Sequence, residues 1–282
     1  MKTRQITIGI AIVAIAFTSI LSSCKKKPKE EKDSDTSSAS DQSLASTSVN
    51  DLTSISDEAG RSNNVSSFKT NESNAILSSC TTISFDTLLA AKTITVSFGT
   101  VNCLCNDGRN RRGNVVINFT GKYRDSLTVI TVNPQNYFVN DNQITGSKTI
   151  TNKGHNSAHH LVYEINANIN VIKASGAGTI SWTSTRQREW TSGENTISWL
   201  DDTYSITGNA SGTTANGNSF SSVITSPLIR NMAVGCRRHF TAGVLEHTPG
   251  GKATRIIDFG NGSCDDQATV TINGNVYTIT LP

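Results

Sequence analysis

From residue 75 to residue 282 apolar and polar side chains alternate in short runs. Ile94, Val96 and Phe98 alternate with Thr93, Thr95 and Ser97, and Val115, Ile117 and Phe119 fall on one face of the next run. The longest case sets Leu161, Tyr163, Ile165, Ala167, Ile169 and Val171 against Glu164, Asn166, Asn168 and Asn170. A period of two puts successive side chains on opposite faces, so these runs predict half-buried strands rather than helices. Turn signals divide them: Asn140-Asp141-Asn142, Ser175-Gly176, Asn216-Gly217-Asn218 and Asn273-Gly274-Asn275. Asn-Gly tolerates positive φ at both positions and is a strong hairpin signal. About a dozen strands are expected, and turns this short make neighbours antiparallel. The expected fold is all-β, an antiparallel meander forming a sandwich or a curved, partly closed barrel. A membrane-spanning barrel fits poorly, because the polar positions are Thr, Ser and Asn and aromatic girdles are lacking.

The first 74 residues follow another pattern. Lys2 and Arg4 precede an apolar run from Ile6 through Ile20, which Leu21-Ser22-Ser23-Cys24 closes. The run is shorter than the roughly 20 residues a spanning helix needs and suits the apolar region of a signal peptide, residues 1–23. Leu-Ser-Ser-Cys resembles a lipobox, and that resemblance implies cleavage after Ser23 and acylation of Cys24, with palmitate among the acyl chains. Each buried methylene contributes about 0.8 kcal/mol, so two or three chains hold a protein to a membrane where one does not. Residues 24–74 begin with a Lys/Glu/Asp run and continue with thirteen serines between Ser34 and Asn74. So little apolar surface cannot offset ordering entropy, and this segment is expected to be a disordered tether reaching about 40 Å. Lys25, not Asp, follows the cysteine, so the usual inner-membrane retention signal is absent. The Lys/Glu run also resembles the export signals of Bacteroidota surface lipoproteins. The expected location is the outer membrane, on its periplasmic face or at the cell surface, with the membrane itself as partner through Cys24.

Five further cysteines follow, and in an exported chain they favour cross-links over free thiols. The region from Cys80 to Cys103 echoes the region from Cys236 to Cys264. Each opens with a cysteine and closes on Phe-Gly-x-x-x-Cys, at Phe98-Gly99 and at Phe259-Gly260. Two equivalent hairpins, each stapled at its open end, would pair Cys80 with Cys103 and Cys236 with Cys264. Cys105 is left over, and its exchange with Cys103 stays open.

Candidate chemistry is sparse. His155, His159 and His160 suggest a metal cluster, but adjacent residues of a strand face opposite ways, so at most two could share a site. Asp258, Asn261, Ser263, Asp265 and Asp266 form an oxygen-rich loop without the spacing of a calcium loop. No nucleophile elbow, zinc-protease helix or phosphate loop is present, so no catalytic residue, metal or other cofactor is assigned. Glu164, Glu189, Glu194, Asp201 and Asp202 include material for a glycosidase pair, although nothing in the sequence brings two together. Trp182, Ser184, Arg186, Arg188 and Trp190 share one face of a strand. Indole and guanidinium planes stack well, so Trp182, Arg186, Arg188 and Trp190 are either an internal ladder or a candidate ligand face, for instance for a glycan. The ladder is the reading adopted.

Four motifs resemble those of an uncharacterised family of Bacteroidota lipoproteins. They are Asp107-Gly108-Arg109-Asn110-Arg111-Arg112-Gly113, Ser181 to Trp190, Tyr204 to Gly212, and Asp258 to Gly274. The resemblance covers most of Cys80 to Pro282 and implies a location but no catalytic residues. The expected function is a lipid-anchored, non-catalytic binding or structural module whose partner is a glycan or an envelope protein, not nucleic acid. The alternatives are a carrier of a small lipophilic ligand and a glycan-active hydrolase.

Overall fold

The computed structural model describes residues 33–62, 76–86, 92–174 and 176–282. Residues 1–23, expected to be a signal peptide, and Cys24 lie outside the described residues. One helix comes first, α1 (Ser37–Ser62), followed by fourteen strands. These are β1 (Thr82–Asp86), β2 (Lys92–Ser97), β3 (Cys103–Leu104), β4 (Asn110–Phe119), β5 (Val129–Val139), β6 (Asn142–His155) and β7 (Leu161–Ile172). The second half holds β8 (Thr179–Ser192), β9 (Thr203–Thr213), β10 (Ser219–Asn231), β11 (Ala242–Pro249), β12 (Arg255–Asn261), β13 (Gln267–Ile272) and β14 (Asn275–Thr280).

All fourteen strands belong to one antiparallel sheet in which nearly every strand pairs with its neighbours in sequence; β3 is a short addition beside β4. The all-β meander expected from the alternation is therefore present. Among the described residues the sheet is open, with β1 and β14 at its two ends. The tight turns are where the sequence put them. Asn140 and Asp141 join β5 to β6 with φ of 47° and 63°, and Asn273-Gly274 joins β13 to β14 with φ of 48° and 78°. The alternation also chose the inner face correctly. Ile94, Val96, Val115, Ile117, Phe119, Tyr163, Ile169 and Val171 are all buried.

The expected disordered tether needs correction. Residues 37–62 form a 26-residue helix packed on the inner face of the sheet. Ala45, Val49, Leu52, Ile55 and Ala59 recur at helical spacing, are fully buried or nearly so, and join one core with side chains from β2 through β10. Ala39 joins a second core formed by β9 through β14. Most polar positions of α1 are buried as well, so the sheet curls around the helix. Only one narrow stripe, passing through Ser40, Leu44, Thr47, Ser54, Asp57 and Arg61, retains solvent access. The serine-rich composition misleads because the surface covering this helix is itself polar, so hydrogen bonds and ion pairs supplement the small apolar area.

Both disulfides form as the internal echo predicts. Cys80–Cys103 closes the open end of the β1–β2 hairpin with Cα atoms 5.9 Å apart, and Cys236–Cys264 does the same for β11–β12 at 4.5 Å. Cys105 is a buried free thiol, its pKa pushed up by burial.

Candidate functional site

The inner face of the sheet is unusually basic. Arg109, Arg111, Lys148, Arg186, Arg188, Arg230 and Arg255 are all buried beneath α1 or its N-terminal extension. The helix answers them in order along its length. Trp182 Nε1 donates to Gln42 Oε1 at 2.8 Å, Arg186 Nη1 donates to Ser46 Oγ at 3.0 Å, and Arg188 Nη1 lies 3.6 Å from Asp57. Contacts that ascend together along both elements mean that α1 runs in the same direction as β8. Lys148 donates to the Val49 carbonyl at 3.1 Å and also bonds Thr53 Oγ1. Arg230 donates to Ser54 Oγ at 2.8 Å. Near the helix start, Asp41 accepts from Lys173 Nζ at 2.9 Å and from the Ala215 amide at 2.8 Å.

Asp51 is the main ionic tie. It accepts from Arg109 at 3.2 Å, from Arg111 at 2.5 Å and from the Tyr137 hydroxyl at 2.7 Å. Burial opposes its ionisation, but the Arg111 and Arg109 charges outweigh that and hold its pKa at about 2. Asp107 supplies Arg111 with a second carboxylate at 2.6 Å.

A cleft of about 280 Å³ opens beside the stripe of α1 that the sheet leaves uncovered. Its floor is Asn50, Ser54, Asp57 and Glu58, and one wall is the 230–238 segment, which the Cys236–Cys264 disulfide anchors. The buried Trp199 ring backs it, with Arg61 4.6 Å and Arg237 5.1 Å from its ring centroid. Cations over an indole face are attracted by its quadrupole. Arg238 lies at the same rim, exposed, its pKa lowered first by desolvation and then by the neighbouring Arg109 charge. The carboxylates of the cleft have structural duties. Glu58 accepts the Ile76 and Leu77 amides at 2.8 and 3.1 Å, and burial raises its pKa. Asp51, Asp57 and Asp107 face Arg111 or Arg188.

The candidate ligand face on β8 points inward. Trp182, Arg186, Arg188 and Trp190 are each buried beneath α1 and its neighbours, so the four residues form an internal ladder rather than an exposed platform. Arg186 stacks 5.0 Å from Trp182, and Arg188 lies 4.6 Å from the Tyr204 ring and 5.1 Å from the Tyr163 ring. The histidines of the β6–β7 turn face carboxylates separately: His155 bonds Glu194 at 2.8 Å and His160 bonds Glu189 at 2.7 Å, while His159 is exposed. Among the described residues no three His, Cys, Asp or Glu side chains converge as metal ligands. In the oxygen-rich loop, Asp258 accepts the Gly260 amide and Asp265 the Gln267 amide, each closing a turn. Glu194 also binds Arg124 at 2.6 Å, Asp201 accepts from Thr196 at 2.9 Å, and Asp202 accepts from the Tyr204 hydroxyl at 3.2 Å. Glu164 stands 4.0 Å from Lys153. Each carboxylate considered for a glycosidase pair thus serves a local contact.

Sequence reasoning missed Asp41, Asp51, Asp57 and Glu58, because all four lie in the segment expected to be disordered. The signal available was the spacing of Ala45, Val49, Leu52, Ile55 and Ala59, at helical period within the serines. Comparisons of the chain with protein-family models, curated proteins and solved structures gave no match.

Proposed function

We propose that the protein is a non-catalytic binding module of the bacterial envelope, held to the outer membrane by acyl chains on Cys24, facing the periplasm or the cell surface. Its ligand is an anionic segment of an envelope polymer, a glycan bearing carboxylates being the best fit. The observation that carries the reading is the rim cleft, where the guanidinium groups of Arg61, Arg237 and Arg238 gather beside the buried Trp199 ring. Guanidinium groups pair with carboxylates in a planar, two-pronged geometry.

The other two functions find less support. A lipophilic carrier needs an apolar interior volume, and α1 fills the concave face of this sheet. A hydrolase needs an acid and a base free to act on a bound sugar, whereas the carboxylates of the cleft are engaged in ion pairs and backbone contacts.

Two measurements test the proposal. Cys24→Ala should abolish incorporation of labelled fatty acid and leave a larger, unprocessed chain. Calorimetric titration of the mature protein with polygalacturonate should show binding that neutral dextran does not give. Arg238→Glu should weaken that binding by about tenfold, the usual loss when one charge contact is reversed at a partly solvated rim. Equal affinity for dextran and polygalacturonate would refute the anionic reading.

A further inference from the structure

Apart from the rim cleft, a small chamber lies midway along the interface of α1 with the sheet. It is lined by Val49, Asn50 and Thr53 of the helix, the apolar Ile165 and Ile206, and the four cations Lys148, Arg186, Arg188 and Arg230. No carboxylate lines it. The four cationic side chains are between 1 and 7% exposed. Burying charges without partners costs several kcal/mol each, so such a concentration of one sign requires compensation.

The protein compensates only part of it. Asp57 reaches Arg188 at 3.6 Å from outside the chamber. Arg186 meets only neutral groups, the Ser46 hydroxyl and the Trp182 ring, and its Nε is buried without a hydrogen-bond partner. The Nε of Arg188 is likewise unpartnered. Burial lowers the Lys148 ammonium to a pKa of about 7, so loss of its proton can remove one charge. Arginine has no such outlet under ordinary conditions.

The chamber has a volume of about 10 Å³, close to the room that one water-sized particle needs. Sulfate, phosphate and carboxylates are too large for it. We propose that this chamber binds one small monovalent anion, of the size of chloride, between Lys148, Arg186, Arg188 and Arg230. The anion ties the centre of α1 to β6, β8 and β10 and makes the interior ion-dependent. This site is separate from the rim cleft and stands or falls independently of it.

Thermal unfolding of the mature protein, followed at constant ionic strength with gluconate replaced by chloride, tests the site. A ligand that binds only the folded state stabilises it with concentration, so Tm should rise by about 5 °C between 1 and 100 mM chloride. Lys148→Met should fold, since it removes a buried charge, and should reduce the response at least several-fold. Arg186→Met should abolish it. Bromide soaked into crystals of the mature chain should give an anomalous peak within the chamber. A Tm indifferent to chloride, a response undiminished in both variants, or bromide only at the surface would overturn the proposal.

Discussion

Asp51 shows how one carboxylate can organise an interior. It joins α1 to Arg109, to Arg111 on β4 and to Tyr137 on β5, and is almost wholly buried. Asp51→Asn keeps the shape and removes the charge, leaving two guanidinium groups facing a neutral amide. Breaking one side of a buried ion pair costs about 3–5 kcal/mol, and a fall of that size in chemical denaturation is the expected outcome. Trp190 gives a parallel case without charge loss. It is 3% exposed, packs at a tilt against Tyr204 at 5.5 Å and has Arg124 over its ring at 5.4 Å. Trp190→Ala should cost about 3–5 kcal/mol, and an unchanged melting midpoint would contradict the buried ladder. Backbone constraint matters at Gly208, whose φ is +125°. A Cβ there would stand 2.8 Å from the Arg186 Cα and closer still to the Thr185 carbonyl, so only glycine lets β9 lie this close to the arginine row.

At the scale of elements, α1 is the feature that departs most from expectation. Its length corresponds to about 39 Å of helix, enough to run along a long strand such as β8. Asp35 starts it by accepting the Ser37 amide at 2.9 Å. Leu52 is fully buried, so Leu52→Ala should destabilise the whole domain by about 2–5 kcal/mol. Amides from 45 to 59 should exchange with solvent as slowly as those of β6 to β8; rapid exchange there would contradict a packed helix. The strands were legible because each carries an alternation whose inner side faces one core, as Leu161 to Val171 does on β7. The turns at Asn140 and Asn273 were legible because local chemistry fixes them. The helix was not, because its stability lies in partners about a hundred residues or more distant: Gln42 with Trp182, Ser46 with Arg186, Lys148 with Val49 reached from the sheet. Composition alone weighs serine as a poor helix former and cannot see a matching polar wall. The rim cleft shares that fate, since its floor comes from the same helix.

At the scale of the molecule, buried histidine makes stability depend on pH. His247 is fully buried, donates to or accepts from Ser222 Oγ at 2.9 Å, and packs against Phe220. Burial, then the neighbouring Arg255 charge, lower its pKa to about 4. In the unfolded chain it protonates near pH 6.5, so the unfolded state binds more protons between those values. Stability should hold above pH 6.5 and fall as pH drops toward 4, by about 3 kcal/mol from this residue. Asp51 adds a second decline as pH falls from 3.8 to about 2, because its depressed pKa contributes only while the unfolded carboxylate is ionised. Urea midpoints across this range should fall steadily, and His247→Asn should flatten the upper part of the curve.

The helix also sets an order of events. Among the described residues α1 is made first, yet Asp33 beside it binds Arg255, 222 residues later, and Arg109 reaches the carbonyl of Pro282. A chain emerging N-terminus first therefore carries a segment whose contacts are completed only when the last strands appear. Contacts so distant in sequence slow folding. They also withhold the complete native state until the strands around Arg255 have been made.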